Sequence, residues 1–240
     1  MSYELIIAEK PKQALRIAYA LSDSKVEVKR YAGASYYETS FKGKRLIIAP
    51  AVGHLFGLQQ IGKGWDYPVF DVEWRPIFEV DKKAGFARRY YNMLSKLCGG
   101  ASEFTVSCDY DVEGELIGYN VLRFICKSES ACRMKFSTLT KSDLQVAYEN
   151  KASSINLPQA KAGETRHILD WYYGVNVSRA LTQAIKKSGS FKVLSSGRVQ
   201  GPALKIVVDR EREIQGFEPR LYWKLRYTGV LNNSVVVAYH

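Results

Sequence analysis

The sequence predicts an α/β fold. A doubly wound, mostly parallel sheet occupies residues 1–150, a mainly helical region follows over residues 151–219, and an incomplete β-hairpin closes residues 220–240. Three observations predict it. The apolar runs Leu5–Ala8 and Phe104–Cys108 are short and unalternating, as in strands buried on both faces. Each runs through a polar tip into apolar residues at helical spacing. Past residue 150 the strand-like runs stop until residue 221. Strands alternating with helices imply a parallel sheet, and such sheets bind ligands at the carboxyl ends of their strands.

The elements follow in order. After Leu5–Ala8 come Glu9 and Lys10, then Pro11, which suits the first turn of a helix. Ala14, Ile17, Ala18 and Leu21 continue that helix. Val26–Tyr31, Ser35–Ser40 and Lys44–Ala49 read as strands separated at Gly33 and Gly43. Residues 51–83 are rich in glycine and proline and read as loop. Phe86, Tyr90, Met93, Leu94 and Leu97 share a helical face. Phe104–Cys108 leads into a helix carrying Ile117, Val121, Phe124 and Ile125. Cys132–Phe136 reads as a strand, and Thr140 with Asp143 starts a helix to about Asn150. Ile168, Leu169, Tyr172 and Val175 fit one long helix from Pro158. Val199, Ala203, Ile206 and Val207 fit another, after a Ser/Gly/Lys loop over 186–197. The last segment turns at Asn232–Asn233 between two strand-like runs, and a lone hairpin is only marginally stable.

The 240 residues carry 35 Lys plus Arg against 24 Asp plus Glu, a net charge of +11. Such an excess attracts polyanions, nucleic acid first among them. No apolar run reaches membrane-spanning length, and the amino terminus, with Glu4 and Glu9 around a short apolar run, does not read as a signal peptide. The expected location is cytoplasmic, on the nucleoid in a prokaryote. Cys98, Cys108, Cys126 and Cys132 show no zinc-type spacing and are expected to be reduced, mostly buried thiols.

Within this basic chain, Asp109, Asp111, Glu113 and Glu115 fall in seven positions. Asp109 and Asp111, two apart on an extended segment, point the same way. Gly114 lets the backbone turn closely there. Acids packed this tightly repel, and a divalent cation relieves the repulsion. An all-oxygen ligand set suits Mg²⁺ better than Zn²⁺. The same residues also suit an ordinary solvated helix start, and spacing alone leaves both readings open. Glu9 ends another expected strand, so Glu9, Lys10 and the cluster are expected to converge. Lys10 would stabilise charge developing on a phosphate. Arg166 and Asp170 are four apart, as for a helical ion pair. Backbone amides at Ser195, Ser196 and Gly197 could cradle a phosphate. Trp171, Tyr172 and Tyr173 could stack on bases, but the first two read rather as core, at helical spacing; His54 could serve as an acid or base, but beside Gly53 it reads as structural.

Asp-x-Asp-x-Glu after an apolar strand, with Glu9 after the first strand, resembles a toprim domain. The blocks "AEKPKQALRIA" (8–18), "GHLFGL" (53–58), "DYDVEGELIGYNV" (109–121), "RHILDWYYGVNVSRALT" (166–182), "LSSGRVQGPAL" (194–204) and "EREIQGFEPRLYW" (211–223) resemble type IA DNA topoisomerases, the topoisomerase III-like branch in particular. The resemblance implies Mg²⁺-dependent cleavage of one DNA strand, strand passage and religation, relaxing negatively supercoiled DNA. It implies Glu9 and Lys10 at the scissile phosphate, and Glu9, Asp109, Asp111 and Glu113 around Mg²⁺. It further implies that single-stranded DNA is gripped by Arg166, Asp170, Arg179, Ser195, Arg198 and Gln200; Arg suits such a grip because its planar fork holds phosphate bidentately. The family's attacking Tyr lies in a Tyr-Pro-Arg-Thr-like block that has no counterpart before His240. The resemblance therefore implies a second chain, or a further carboxyl-terminal part, that supplies it. The alternatives are a non-catalytic DNA- and Mg²⁺-binding fragment, or another toprim nuclease or primase.

Overall fold

Strand β1 (Tyr3–Ala8) lies inside the sheet, paired in parallel with β4 (Lys44–Pro50) on one side and β7 (Ala101–Ser107) on the other. The computed structural model describes residues 2–23 and 25–240. Among these, the sheet continues through β3 (Ala34–Phe41) to β2 (Glu27–Tyr31) at one edge and to β8 (Cys132–Arg133) at the other. The β7–β8 pair is parallel, whereas β2, β3 and β4 form an antiparallel meander. Its tight turns place Ala32–Gly33 and Lys42–Gly43 at positive φ, the conformation whose twist matches the flanking strands. The expected strand over Cys132–Phe136 shrinks to two residues.

The apolar run of β1 is buried on both faces, as its lack of alternation requires. Leu5 and Ile7 join Met93, Leu94 and Val106 in one core, while Ile6 and Ala8 join Ala14, Ile17, Ile48 and Leu144 in the other. Helices α1 (Pro11–Ala20) and α5 (Lys141–Glu149) cover the second face. Helices α3 (Ala87–Cys98) and α4 (Val112–Asn120) cover the first. Each fully buried Leu or Ile contributes about 1.5–3 kcal/mol over an exposed one. Thr140 caps α5 by accepting the Asp143 amide, as its sequence predicts.

Residues 51–83, expected as loop, contain a hairpin of β5 (Phe56–Gln60) and β6 (Val72–Pro76), the short helix α2 (Ile77–Val80) and a 3₁₀ turn over Lys82–Phe86. The turn-rich linker between the strands hid their pairing. The cysteine expectation also needs correction: Cys98 at the end of α3 and Cys126, in the π-helical turn Val121–Cys126 that extends α4, are joined in a disulfide. Packing of those two helix ends against one core brings the sulfurs together, which spacing along the chain cannot reveal. Cys108 and Cys132 are free.

Helix α6 (Leu157–Lys187) is a single 31-residue helix, capped by Asn156, which accepts the Gln159 amide. It crosses α4 closely, because Gly163 faces the Val112 carbonyl where a Cβ would sit at 2.9 Å. No helix among the described residues is long and apolar enough to cross a membrane.

Contacts separate residues 198–240 as a second unit. It comprises α7 (Gln200–Gln215) and a hairpin of β9 (Arg226–Leu231) and β10 (Ser234–Tyr239). Asn232 and Asn233 both have positive φ, forming the two-residue turn expected of that pair.

Candidate functional site

Parallel register sets the site. Ala8 pairs with Ser107, so the chain leaves β1 at Glu9 and leaves β7 at Cys108–Asp109 side by side. Glu9 is nearly buried, and its Oε2 accepts the Asp109 amide at 3.3 Å. Lys10 Nζ lies 2.8 Å from Glu9 Oε1 and 3.5 Å from Asp109 Oδ2. The ammonium therefore sits between two carboxylates from separate strands. Its hydrogen bond and charge contact with Glu9 hold its pKa above the usual lysine value.

Gln13 locks this arrangement. Its Oε1 accepts the Glu9 amide at 2.8 Å, and its Nε2 donates to Asp109 Oδ1 at 2.8 Å. Sequence reading missed Gln13. The available signal was a Gln at the third position of a helix, where side chains reach back to the preceding amides.

Strand β7 ends at Ser107, so Asp109 and Asp111 do not lie on a strand. Asp111 instead caps α4, accepting the Gly114 amide at 2.7 Å. A Cβ on Gly114 would stand 2.1 Å from the Asp109 carbonyl oxygen, so only glycine permits the helix to start this close to the acidic loop.

Below the loop, Arg133 and Glu115 form an ion pair, both 0% exposed. Arg133 Nε donates to Glu115 Oε2 at 2.7 Å. Its other nitrogens donate to the carbonyls of Cys108 (2.9 Å), Met134 (2.8 Å) and Asp109 (2.8 Å). Glu115 Oε1 accepts the Asn156 amide at 2.6 Å, which ties the start of α6 to the same pair. The guanidinium thus fixes the loop that carries the acids. Sequence reading counted Glu115 among the clustered acids and did not single out Arg133.

Glu113 takes a different set of partners. Its Oε2 lies 2.9 Å from His54 Nε2 and 2.8 Å from His167 Nε2. Arg166 approaches Oε1 at 3.4 Å and Asp170 at 3.8 Å, the latter being the expected i,i+4 pair. Burial pushes the Glu113 carboxyl up, but hydrogen bonds and charge from His167 and His54 outweigh it and leave it below the usual carboxylate range. Burial, reinforced by His167 and opposed by Glu113, pushes His54 down. His54, expected as structural, contacts Glu113, and His167 was not singled out at all.

The expected strand-gripping residues are spread along α6 and beyond. Arg179 donates to the Asp66 carbonyl at 2.8 Å and to Gln60, tying α6 to the loop after β5. The Ser196 amide donates to Ser178 Oγ at 2.8 Å and the Leu194 amide to Thr182 Oγ1 at 3.1 Å, so the 194–197 segment lies pinned along α6. Trp171 and Tyr172 are half-buried, Tyr172 donating to the Phe70 carbonyl at 2.7 Å, and Tyr173 is exposed. Arg198 and Gln200 belong to the second unit, where Gln200 opens α7.

A family model described as the toprim domain matches residues 4–139, and one described as DNA topoisomerase matches residues 154–236. The chain is 54% identical over 225 residues to DNA topoisomerase 1 of Pyrococcus horikoshii, across 92% of this chain and 33% of that protein. It is 48% identical over 221 residues to DNA topoisomerase 1 of Methanocaldococcus jannaschii, across 91% of this chain and 28% of that protein. The chain thus spans about a third or less of these relatives' length. Among solved structures, full-length topoisomerase I from Thermotoga maritima superposes with a TM-score of 0.60 at 24% identity, over 93% of this chain and 32% of that one. At that identity the likeness establishes the fold alone.

Proposed function

The chain belongs to the toprim family, and we propose that it forms the metal- and strand-holding part of a type IA DNA topoisomerase. The observation that carries the reading is the meeting of Glu9, Lys10 and Asp109 at the ends of two adjacent parallel strands. The match of residues 154–236 to DNA topoisomerase, and relatives of that name, support the same reading.

The donor set fits Mg²⁺. Glu9, Asp109 and Asp111 offer only carboxylate oxygens, and the Lys10 ammonium already marks a place between two of them where positive charge is stabilised. Glu9, Asp109, Asp111 and Glu113 would hold the ion. When bound it supplies positive charge that orients a phosphodiester for resealing. Lys10 meets the scissile phosphate as a cation and hands a proton to the departing sugar oxygen. Glu9 holds Lys10 in place. The attacking Tyr comes from another segment or chain. Its hydroxyl oxygen bonds to phosphorus, losing its proton to water, as the sugar oxygen leaves with the proton from Lys10, and reversal of that exchange reseals the strand without ATP.

Arg166, Asp170, Arg179 and Ser195 of the first unit would grip the single strand upstream, and Arg198 and Gln200, considered separately on the second unit, would each contact single-stranded DNA. A cleft lined by Trp65, Thr182, Lys186, Lys187 and Phe191 adds the pairing of ring faces with cations that suits unpaired bases.

The test mixes this chain with a Tyr-bearing carboxyl-terminal part of a close relative, labelled single-stranded DNA and Mg²⁺. A covalent protein–DNA adduct that Lys10→Ala suppresses is the expected result. Mg²⁺ titration by calorimetry should show weakened binding in Asp111→Asn. No adduct with any Tyr-bearing part, together with unchanged Mg²⁺ affinity in that variant, overturns the reading.

A further inference from the structure

The geometry points to a second metal site: His54, Glu113 and His167 form a centre for a borderline divalent ion of the Zn²⁺ class, which shares Glu113 with the acidic site and takes its other two ligands from histidines. Three separate elements supply the ligands: the loop after β4, the first turn of α4 and the middle of α6. Both imidazoles aim Nε2 at one carboxylate oxygen, at 2.9 and 2.8 Å, and the ligand atoms all lie within 4.8 Å of one another. A zinc ion held at about 2.0–2.2 Å from each donor needs donor separations of about 3–4 Å. Small rotations of the two rings provide that room.

The donor chemistry selects the ion. Two imidazoles and one carboxylate suit Zn²⁺, Co²⁺ or Fe²⁺, whereas Mg²⁺ prefers oxygen. The surroundings orient the ligands. Arg166 contacts Glu113 Oε1 at 3.4 Å and leaves Oε2 to face the two nitrogens. The rings of His54 and His167 lie 4.7 Å apart, and Trp74 packs against His167 at 5.8 Å, which restricts its movement. The cluster is half-buried, with side-chain exposures of 26%, 35% and 31% for His54, Glu113 and His167, so an ion reaches it from solvent. With three protein ligands, a coordination position stays open to water or to a phosphate oxygen.

Binding a zinc-class ion here withdraws Glu113 from the acidic cluster. The site would therefore set how many carboxylates remain for Mg²⁺. That consequence rests on the function proposed above, but the binding itself does not.

The chain has three histidines, which makes the test direct. Nitrogen-15 spectra of the full chain, titrated with Zn²⁺ in a large excess of Mg²⁺, should shift the imidazole signals of His54 and His167 together and leave His240 in place. Calorimetry should show one Zn²⁺ per chain, with affinity falling on the order of tenfold or more in His167→Gln. Asp109→Asn, which disturbs only the acidic site, and Cys132→Ser, which removes the partly exposed thiol, should leave Zn²⁺ affinity unchanged. A thermal melt of each variant verifies folding, and the wild-type spectra stand even where a variant fails. The proposal is overturned if Zn²⁺ leaves both imidazole signals unmoved, if folded His167→Gln binds as tightly as wild type, or if Asp109→Asn abolishes binding.

Discussion

Replacing Arg133 with Met removes the positive half of a fully buried ion pair. The Glu115 carboxylate would then lie 0% exposed with the Asn156 amide as its remaining hydrogen-bond donor, and the carbonyls of Cys108 and Asp109 would each lose an N–H donor. Breaking a buried pair by deleting one partner costs about 3–5 kcal/mol. Unsatisfied carbonyls cost about 1–3 kcal/mol each where water cannot reach them, so the lower end of the range assumes that the loop opens to solvent. Against a total stability of about 5–15 kcal/mol this is a large loss. Two consequences separate. Urea unfolding followed by tryptophan fluorescence should show the midpoint fall by an amount worth about 3–5 kcal/mol. Calorimetry on the folded fraction should show weaker Mg²⁺ binding, because the loop presenting Asp109 and Asp111 has lost its tether. The double variant Arg133→Met with Glu115→Leu is the control. Replacing both charges with apolar groups of similar size removes the stranded carboxylate, so the double variant should be more stable than Arg133→Met alone. A loss below about 1 kcal/mol in the single variant, or a double variant no more stable than it, would refute the reasoning.

Three further outcomes are expected. Glu4 is buried among Lys151, Lys44, Thr105 and Tyr148; burial raises its carboxyl pKa, but those partners overcome it and bring the value from 4.5 to about 2. Ionised Glu4 therefore stabilises the fold above about pH 4.5, and that stability, about 3 kcal/mol, is lost as pH falls toward 2. Acid titration of the melting temperature should show this loss, and Glu4→Gln should flatten it. Gly118→Ala should destabilise by about 1–3 kcal/mol despite alanine's better helix propensity, because its Cβ would stand 2.3 Å from Val106 Cγ1 beneath α4; a raised melting temperature would contradict this. Gly114→Ala should weaken Mg²⁺ binding, since its Cβ meets the Asp109 carbonyl oxygen at 2.1 Å and must push the acidic loop away; equal Mg²⁺ affinity by calorimetry would show that the loop tolerates the shift.

The sequence by itself determined the features written at short range. The unalternating runs of β1 and β7, the Thr140 cap, the Asn232–Asn233 turn and the long helix through Tyr172 follow from neighbours within a few positions, where periodicity and capping act. Asp109, Asp111 and Glu113 were legible as a group because they are adjacent in the chain, and Glu9 because it too ends an apolar run. Only the tertiary structure decided which partner each acid keeps. Gln13 meets Asp109 across 96 positions, and His167 meets Glu113 across 54, through the β1–β7 register and the crossing of α6 over α4. Arg133 reads locally as an ordinary strand residue and becomes the tether of the loop because β8 pairs beside β7. The disulfide between Cys98 and Cys126 likewise depends on two helix ends packing into one core. Hydrogen bonds and ion pairs between distant residues exist only once burial has fixed the layers, and a sequence carries no periodic mark of them.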